Sequence, residues 1–331
     1  MRYRHAPHTG APETALSFSG GSGGLGALRI GAAGAALGFS ELPAAPPSPR
    51  FPTQRAPRAQ AWMLGIGAES ENDAIAGFTA FDTDTKGFML GGDRRVGEDW
   101  LLGVTFGQSK TDVVTGDLAT GDIEWWQGSI YATWFDERYH FEAGAAYGEQ
   151  DFKDSRALLV DSVIRNANSA HDGDAWNVFA GGGVSFGNER WSIEPYVSLN
   201  YISATEEAFE EAGAASMNLL VPAQDTRALF GEAGAAFSVR HPLNSALIDW
   251  HASLAVGHDF GIDDGTLFYS YAGAPLDVFS IDGRPVKATS ALYGVGVSFL
   301  GDQSVLSIDF QGARNSDRVE KYLSARVVVR F

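Results

Sequence analysis

Apolar and polar residues alternate along most of this chain, and the alternation is cleanest at its end. In Glu320-Lys-Tyr-Leu-Ser-Ala-Arg-Val-Val-Val-Arg-Phe331, Val329, Val327, Ala325 and Leu323 form one set, and Arg330, Arg326 and Ser324 fall between them. A period of two with one greasy and one wet face is a β-strand. In a soluble sheet a strand ending on an aromatic would be a sticky edge. In a closed barrel in lipid it is the closing strand, apolar outward and polar toward the lumen.

The same period runs from Ala61 onward. Trp126, Ile130 and Trp134 alternate with Gln127, Ser129, Tyr131 and Thr133, and a short turn at Asp136-Glu137 leads to Tyr139, Phe141, Ala143, Ala145 and Tyr147. Trp176, Val178, Ala180 and Val184 precede a Gly187-Asn188 turn, and Trp191, Ile193, Val197, Leu199 and Tyr201 return from it. Asn-, Asp- and Gly-containing turns between alternating runs are hairpin signals. The pattern predicts strands near 61–69, 86–96, 99–111, 122–135, 138–151, 173–186, 190–204, 226–239, 245–258, 287–299, 304–312 and 320–331. Connections near 97, 136, 188, 242 and 301 are short. Those at 70–85, 112–121, 152–172, 205–225, 259–286 and 313–319 are long. This asymmetry is that of bacterial outer-membrane barrels. The predicted fold is therefore all-β: a transmembrane antiparallel up-and-down β-barrel of about 12 strands. Within 259–286, Leu267 to Tyr271 reads as a hairpin that would change the count.

Composition narrows the choice. No segment approaches the roughly 18 to 20 apolar residues of a membrane helix. The formal charge of −17 argues against nucleic-acid binding, and Cys is absent, so no disulfide or thiolate site exists. Residues 1–54 form a low-complexity Gly/Ala/Pro-rich segment, expected to be poorly ordered as a passenger remnant or linker, and 55–331 the barrel. The first 60 residues hold six Arg against only Glu13 and Glu41, so the acidity belongs to the barrel.

Parity places Asp93, Arg95, Glu142, Glu194, Glu232, Asp249, His251, Asp309, Arg326 and Arg330 on the lumen side, since each would cost several kcal/mol against lipid. They suit a wet bore or pair with one another, with Glu194 and Glu232 expected to face Arg326 or another lumen arginine. Trp62, Trp100, Trp134, Trp191 and Trp250 lie near strand ends beside short turns, as an interfacial girdle does. Catalytic motifs find no support. Gly20-Gly-Ser22-Gly-Gly24 has elbow spacing and Gly21 to Gly26 dinucleotide spacing, but neither has the flanking strand and helix. His258-Asp259 reads as a surface pair and Glu206-Glu207 with Glu210-Glu211 as a solvated loop face. The seven His show no metal spacing. No cofactor, metal or catalytic residue is expected.

The chain also resembles a known family, the C-terminal translocator domain of autotransporters (type V secretion), from about residue 55 to 331. The resemblance rests on Ala61-Trp-Met-Leu-Gly-Ile-Gly, on Lys86-Gly-Phe-Met-Leu-Gly-Gly-Asp-Arg-Arg-Val-Gly-Glu-Asp-Trp100 followed by Leu102-Gly-Val-Thr-Phe-Gly, and on Phe331. It implies a twelve-stranded barrel in the cell outer membrane that helps an N-terminal passenger reach the surface. It further implies lipid and lipopolysaccharide around the barrel, loops exposed outside, and a terminal strand (Phe331, Val329, Val327) read by the outer-membrane assembly machinery. A complete member carries a signal peptide, a long passenger and a helical linker through the pore. Here about 60 residues precede the barrel, and the Pro-rich part before Ala61 is a poor helix. Twelve strands lie between the eight that side chains fill and the 16 to 18 of an open channel, leaving a bore for one helix of about 10 to 12 Å or an extended hairpin. The alternative reading is a structural or adhesive barrel that acts through its outer loops without a passenger.

Overall fold

Polar backbone groups in lipid must find partners within the protein, and closing a sheet on itself satisfies every strand edge. This chain does so. The computed structural model describes residues 58–75, 78–116, 119–136, 138–160, 163–243, 246–261, 267–281 and 288–331; the low-complexity segment expected at 1–54 lies outside the described residues. Twelve strands form the barrel: β1 Ala59–Asn72, β2 Phe81–Val96, β3 Trp100–Thr115, β4 Ala119–Phe135, β5 Tyr139–Val160, β6 Val163–Val184, β7 Trp191–Glu206, β8 Gln224–Pro242, β9 Leu247–Asp259, β10 Thr289–Leu300, β11 Ser304–Arg314 and β12 Arg318–Arg330. Each pairs antiparallel with its neighbours in sequence, and β12 closes on β1 from Gln60↔Arg330 to Asn72↔Arg318. Phe331 completes the seam: its carbonyl accepts from Arg58 N at 3.2 Å and its N–H donates to the Ala59 carbonyl at 2.9 Å.

The turns at one end are tight because side chains fold back on them. Asp136 Oδ1 accepts from the backbone of Arg138 and Tyr139 at 2.7 and 2.8 Å, and Asn188 Oδ1 accepts from Arg190 and Trp191 at 2.8 and 3.2 Å. Such Asx turns are the reason Asp and Asn mark hairpins.

The other end differs from expectation. Of the long connections, 112–121, 152–172 and 313–319 are mostly strand. β5 and β6 run 22 residues each, pairing from Tyr139↔Val184 up to Val160↔Val163. Lys153 to Arg156 fall within the 152–172 connection expected as a loop, but a strand that rises clear of lipid meets water on its faces and still saves its backbone hydrogen bonds by pairing. The hairpin suspected within 259–286 exists, as Leu267–Tyr271 and Ala274–Ile281, yet it stands outside the barrel. It joins Phe209–Glu210 and Leu219–Val221 in a four-stranded sheet of loop segments, so the barrel count stays at twelve.

Candidate functional site

The inward face of the wall is a set of polar clusters, each drawing on more than one strand. In the first, Gln60 donates to Asp93 Oδ2 at 3.0 Å, Tyr131 OH donates to the same oxygen at 2.7 Å, and Trp62 Nε1 donates to Tyr131 OH at 3.3 Å. Bringing β1, β2 and β4 together requires a glycine. A Cβ on Gly103, between Asp93 and Tyr131, would collide with Cζ of the Tyr131 ring.

In the second cluster Glu142, Glu194 and Glu232 gather from β5, β7 and β8. Glu194 lies 3.4 Å from His140 Nδ1, and Tyr196 OH donates to Glu232 Oε1. His140 and Tyr196 reach these carboxylates from the wall nearby. The third joins β8, β9 and β11: Arg240 Nε stands 3.9 Å from Asp249, which is fully buried, and His251 meets Asp309. Arg240 also donates to Ser192 Oγ at 3.3 Å. Arg326 is buried on β12, and Arg330 is half-buried at its end. Arg95 sits at the rim with its guanidinium 5.1 Å above the Phe135 ring, donating to the Glu98 carbonyl. Of the ten charged residues singled out by parity, Asp93, Glu194, Glu232, Asp249, His251, Asp309 and Arg326 are buried.

The outward face is apolar, and Val327, Val329 and Phe331 are exposed there. Trp100, Trp191 and Trp250 are exposed outward near the short-turn end, and Trp134 packs on Phe141 with ring centroids 6.0 Å apart. Trp62 departs from this ring. It shares the lumen side with Gln60 and Leu64, because its indole lies over Gly91 on the next strand and its N–H reaches Tyr131. A second aromatic ring, unforeseen as such, runs higher on the same outward face: Phe106 against Trp126 at 5.7 Å and Tyr147 against Trp176 at 4.8 Å. From Trp134 to Trp126 is eight residues of tilted strand, roughly 20 Å, close to the height of an outer-membrane apolar band. Directly above come charges: Lys110 opposite Glu124, and Glu149 opposite Asp174.

Above the second ring the inward side is covered by the 207–223 connection. Glu211, expected in a solvated loop face, is buried instead. It holds Arg156 of β5 through both oxygens, at 3.2 and 2.6 Å, and accepts Leu219 N at 2.6 Å. His171 of β6 is sandwiched between Phe152 (4.9 Å) and Phe209 (3.9 Å) and meets Glu206 Oε1 at 2.5 Å. The missed signal was position: Glu211 follows the short strand Phe209–Glu210 directly and lies two residues after Phe209, so the two anchors are close in the chain. His258 points outward, as parity indicated, and touches Thr289 Oγ1 at 3.0 Å. Among the described residues no three His, Asp or Glu side chains are placed to share a metal ion.

The family model described as the autotransporter β-domain matches residues 61–311. The chain belongs to the autotransporter β-domain family. An extracellular serine protease of Serratia marcescens is 23% identical over 82% of this chain and 26% of its own length. Outer membrane protein A of Rickettsia conorii is 21% identical over 82% of this chain and 14% of its own length. The chain spans about a quarter or less of these curated relatives. Among solved structures, the translocator domain of autotransporter NalP from Neisseria meningitidis covers 84% of this chain and 90% of its own at a TM-score of 0.67 and 16% identity. The β-domain of the Bordetella autotransporter BrkA covers 83% and 100% at 0.63 and 16%. An autotransporter β-domain with this outward apolar band is an outer-membrane barrel.

Proposed function

We propose that this barrel is the translocator through which an N-terminal passenger reaches the cell surface. The observation that carries the reading is where the upstream chain joins. Arg58 is tied to Phe331 at the short-turn mouth, so whatever precedes it starts at the rim of the bore. A wall of twelve strands leaves room for a helix or an extended chain. The bore offers polar pairs, which cost a passing chain less than an apolar lining to which it would adhere.

In this reading the short turns face the periplasm and the long strands and loops face outward. Trp100, Trp134, Trp191 and Trp250 sit at the inner interface. Phe106, Trp126, Tyr147 and Trp176 sit at the outer one, under the headgroups of lipid and lipopolysaccharide. Phe331, Val329 and Val327 form the strand read during assembly, and their exposed side chains are free to be read before the seam with β1 closes. The ten inward charges keep the bore wet and hold its wall by pairing.

An epitope tag ahead of Met1, probed on intact cells, tests the reading. Accessibility of the tag outside, with Trp-band and lumen residues still shielded, is expected. A tag that stays periplasmic while protease cuts 207–223 from outside would overturn translocation in favour of a barrel that acts through its loops.

A further inference from the structure

The sheet of loop segments has two apolar faces, and among the described residues only one of them is packed. Leu219, Val221, Tyr269 and Phe279 turn to one side and pack together with Phe209, which anchors the sheet to His171. On the other side stand Leu220, Phe268, Leu276 and Val278. Leu276 is 93% exposed, Val278 64% and Phe268 52%. Phe268, Val278 and Leu220 border a hollow of about 440 Å³ whose floor is apolar. The outer strand, Ala274–Ile281, pairs on one side only among the described residues. A free edge beside an apolar hollow is the form that receives an extended peptide, with backbone pairing along the edge and side chains set into the hollow.

We propose that this face seats the chain's own Leu25–Phe39 segment after it has passed up the bore; the inference rests on the translocation reading above. Reach is sufficient. From Phe39 to Arg58 is 58 − 39 = 19 residues, about 63 Å when extended. The wall beside the loop sheet, β8, has 19 residues, or roughly 48 Å of height at a tilt near 40°. Pro43, Pro46, Pro47, Pro49, Pro52 and Pro57 favour an extended path over that distance. The chemistry also matches. Leu25, Leu28, Ile30, Leu37 and Phe39 are spaced by Gly and Ala, which let a backbone approach closely. The one charge in the segment is Arg29, and the sheet exposes Asp277 and Glu210. A second copy pairing antiparallel about Asp277 would bring the two carboxylates together, which like charges disfavour.

The chain has no cysteine, so Val278→Cys places a single thiol in the hollow. An impermeant maleimide is applied to intact cells carrying the tagged full chain. A companion carries Leu25, Leu28, Ile30, Leu37 and Phe39 all changed to Ser. If the segment occupies the hollow four-fifths of the time, labelling is about fivefold slower in the unaltered segment. Adding Ile30→Cys or Leu28→Cys then gives an intramolecular disulfide under mild oxidation. Equal labelling and no disulfide, with the tag outside, overturns the docking and leaves translocation standing. A disulfide formed only between chains assigns the face to a second copy and overturns the proposal. A tag that never reaches the surface overturns both readings.

Discussion

On β9, Trp250, Leu254 and Val256 look outward, while Asp249, His251 and Ser253 look inward, and different physics holds the two sets. The outer residues face a solvent of acyl chains, where apolar identity suffices and shape is free. Two of the inner residues have named partners: Asp249 stands 3.9 Å from Arg240, and His251 meets Asp309. Composition therefore governs the outer wall and pairing governs the inner one. A substitution should be judged by which wall it lands on, since the same change of residue has unlike costs on each.

The largest expected effect is on the inward side of the projecting β5–β6 hairpin. Arg156→Ala strands the buried Glu211 carboxylate, a change that costs about 3 to 5 kcal/mol when one partner of a buried pair is lost. The loss is local, so protease cutting within 207–223 rises steeply while the barrel resists heat in detergent. Replacing both partners, Arg156→Met with Glu211→Leu, recovers most of it. If the single and double variants are cut alike, pairing is not what holds the inner side.

On the outer wall, Ile130 stands exposed midway between the two aromatic rings. Ile130→Lys there is expected to cost about 2 to 4 kcal/mol in equilibrium unfolding from lipid vesicles, and Ile130→Leu next to nothing. Sensitivity to the leucine would contradict a wall governed by composition alone.

A third variant touches the joint between strands. Gly103→Ala pushes a methyl into the Tyr131 ring and is expected to cost about 1 to 3 kcal/mol. The cost should shrink when Tyr131→Ala accompanies it, because the collision is then gone. Simple additivity of the two changes in the same unfolding measurement would rule out that contact as the cause.

The contrast between walls also explains what was legible in the sequence. Parity alone separated Val327 and Val329 from Arg326 and Arg330, because lipid enforces one rule on every strand. It could not supply the partners of Asp93, since Gln60 is 33 residues away and Tyr131 38 away, and only strand register joins them. Trp62 shows the limit most clearly. Its nearness to the chain's entry suggested the girdle, yet the glycine opposite it on β2 makes room for an indole on the inside. Past the outer ring the rule lapses. Once water bathes the strands, polar residues such as Lys153 and Ser155 no longer mark a loop, and Glu211 turns inward because Arg156 is there.

The smallest effect belongs where the outer wall leaves lipid. Lys110 bridges Asp112 and Asp122 at 3.2 and 3.0 Å, with all three side chains about half exposed. The Asp122 carboxyl is held below its ordinary value, first by its hydrogen bond with Asp112 and then by that with Lys110; these same carboxylates hold the Lys110 ammonium above its own. A depressed acid contributes stability above its unfolded value near 3.8 and loses it as pH falls through the folded one. A raised amine contributes below 10.5 and loses it as pH rises beyond. The bridge thus acts between those limits, and solvent keeps it under about 1 kcal/mol. Lys110→Met should flatten that part of the pH profile of unfolding, and added salt should shrink the difference from the unaltered chain. A salt-independent loss would mean that Lys110 is held by packing of its stem, which is how the wall below it works.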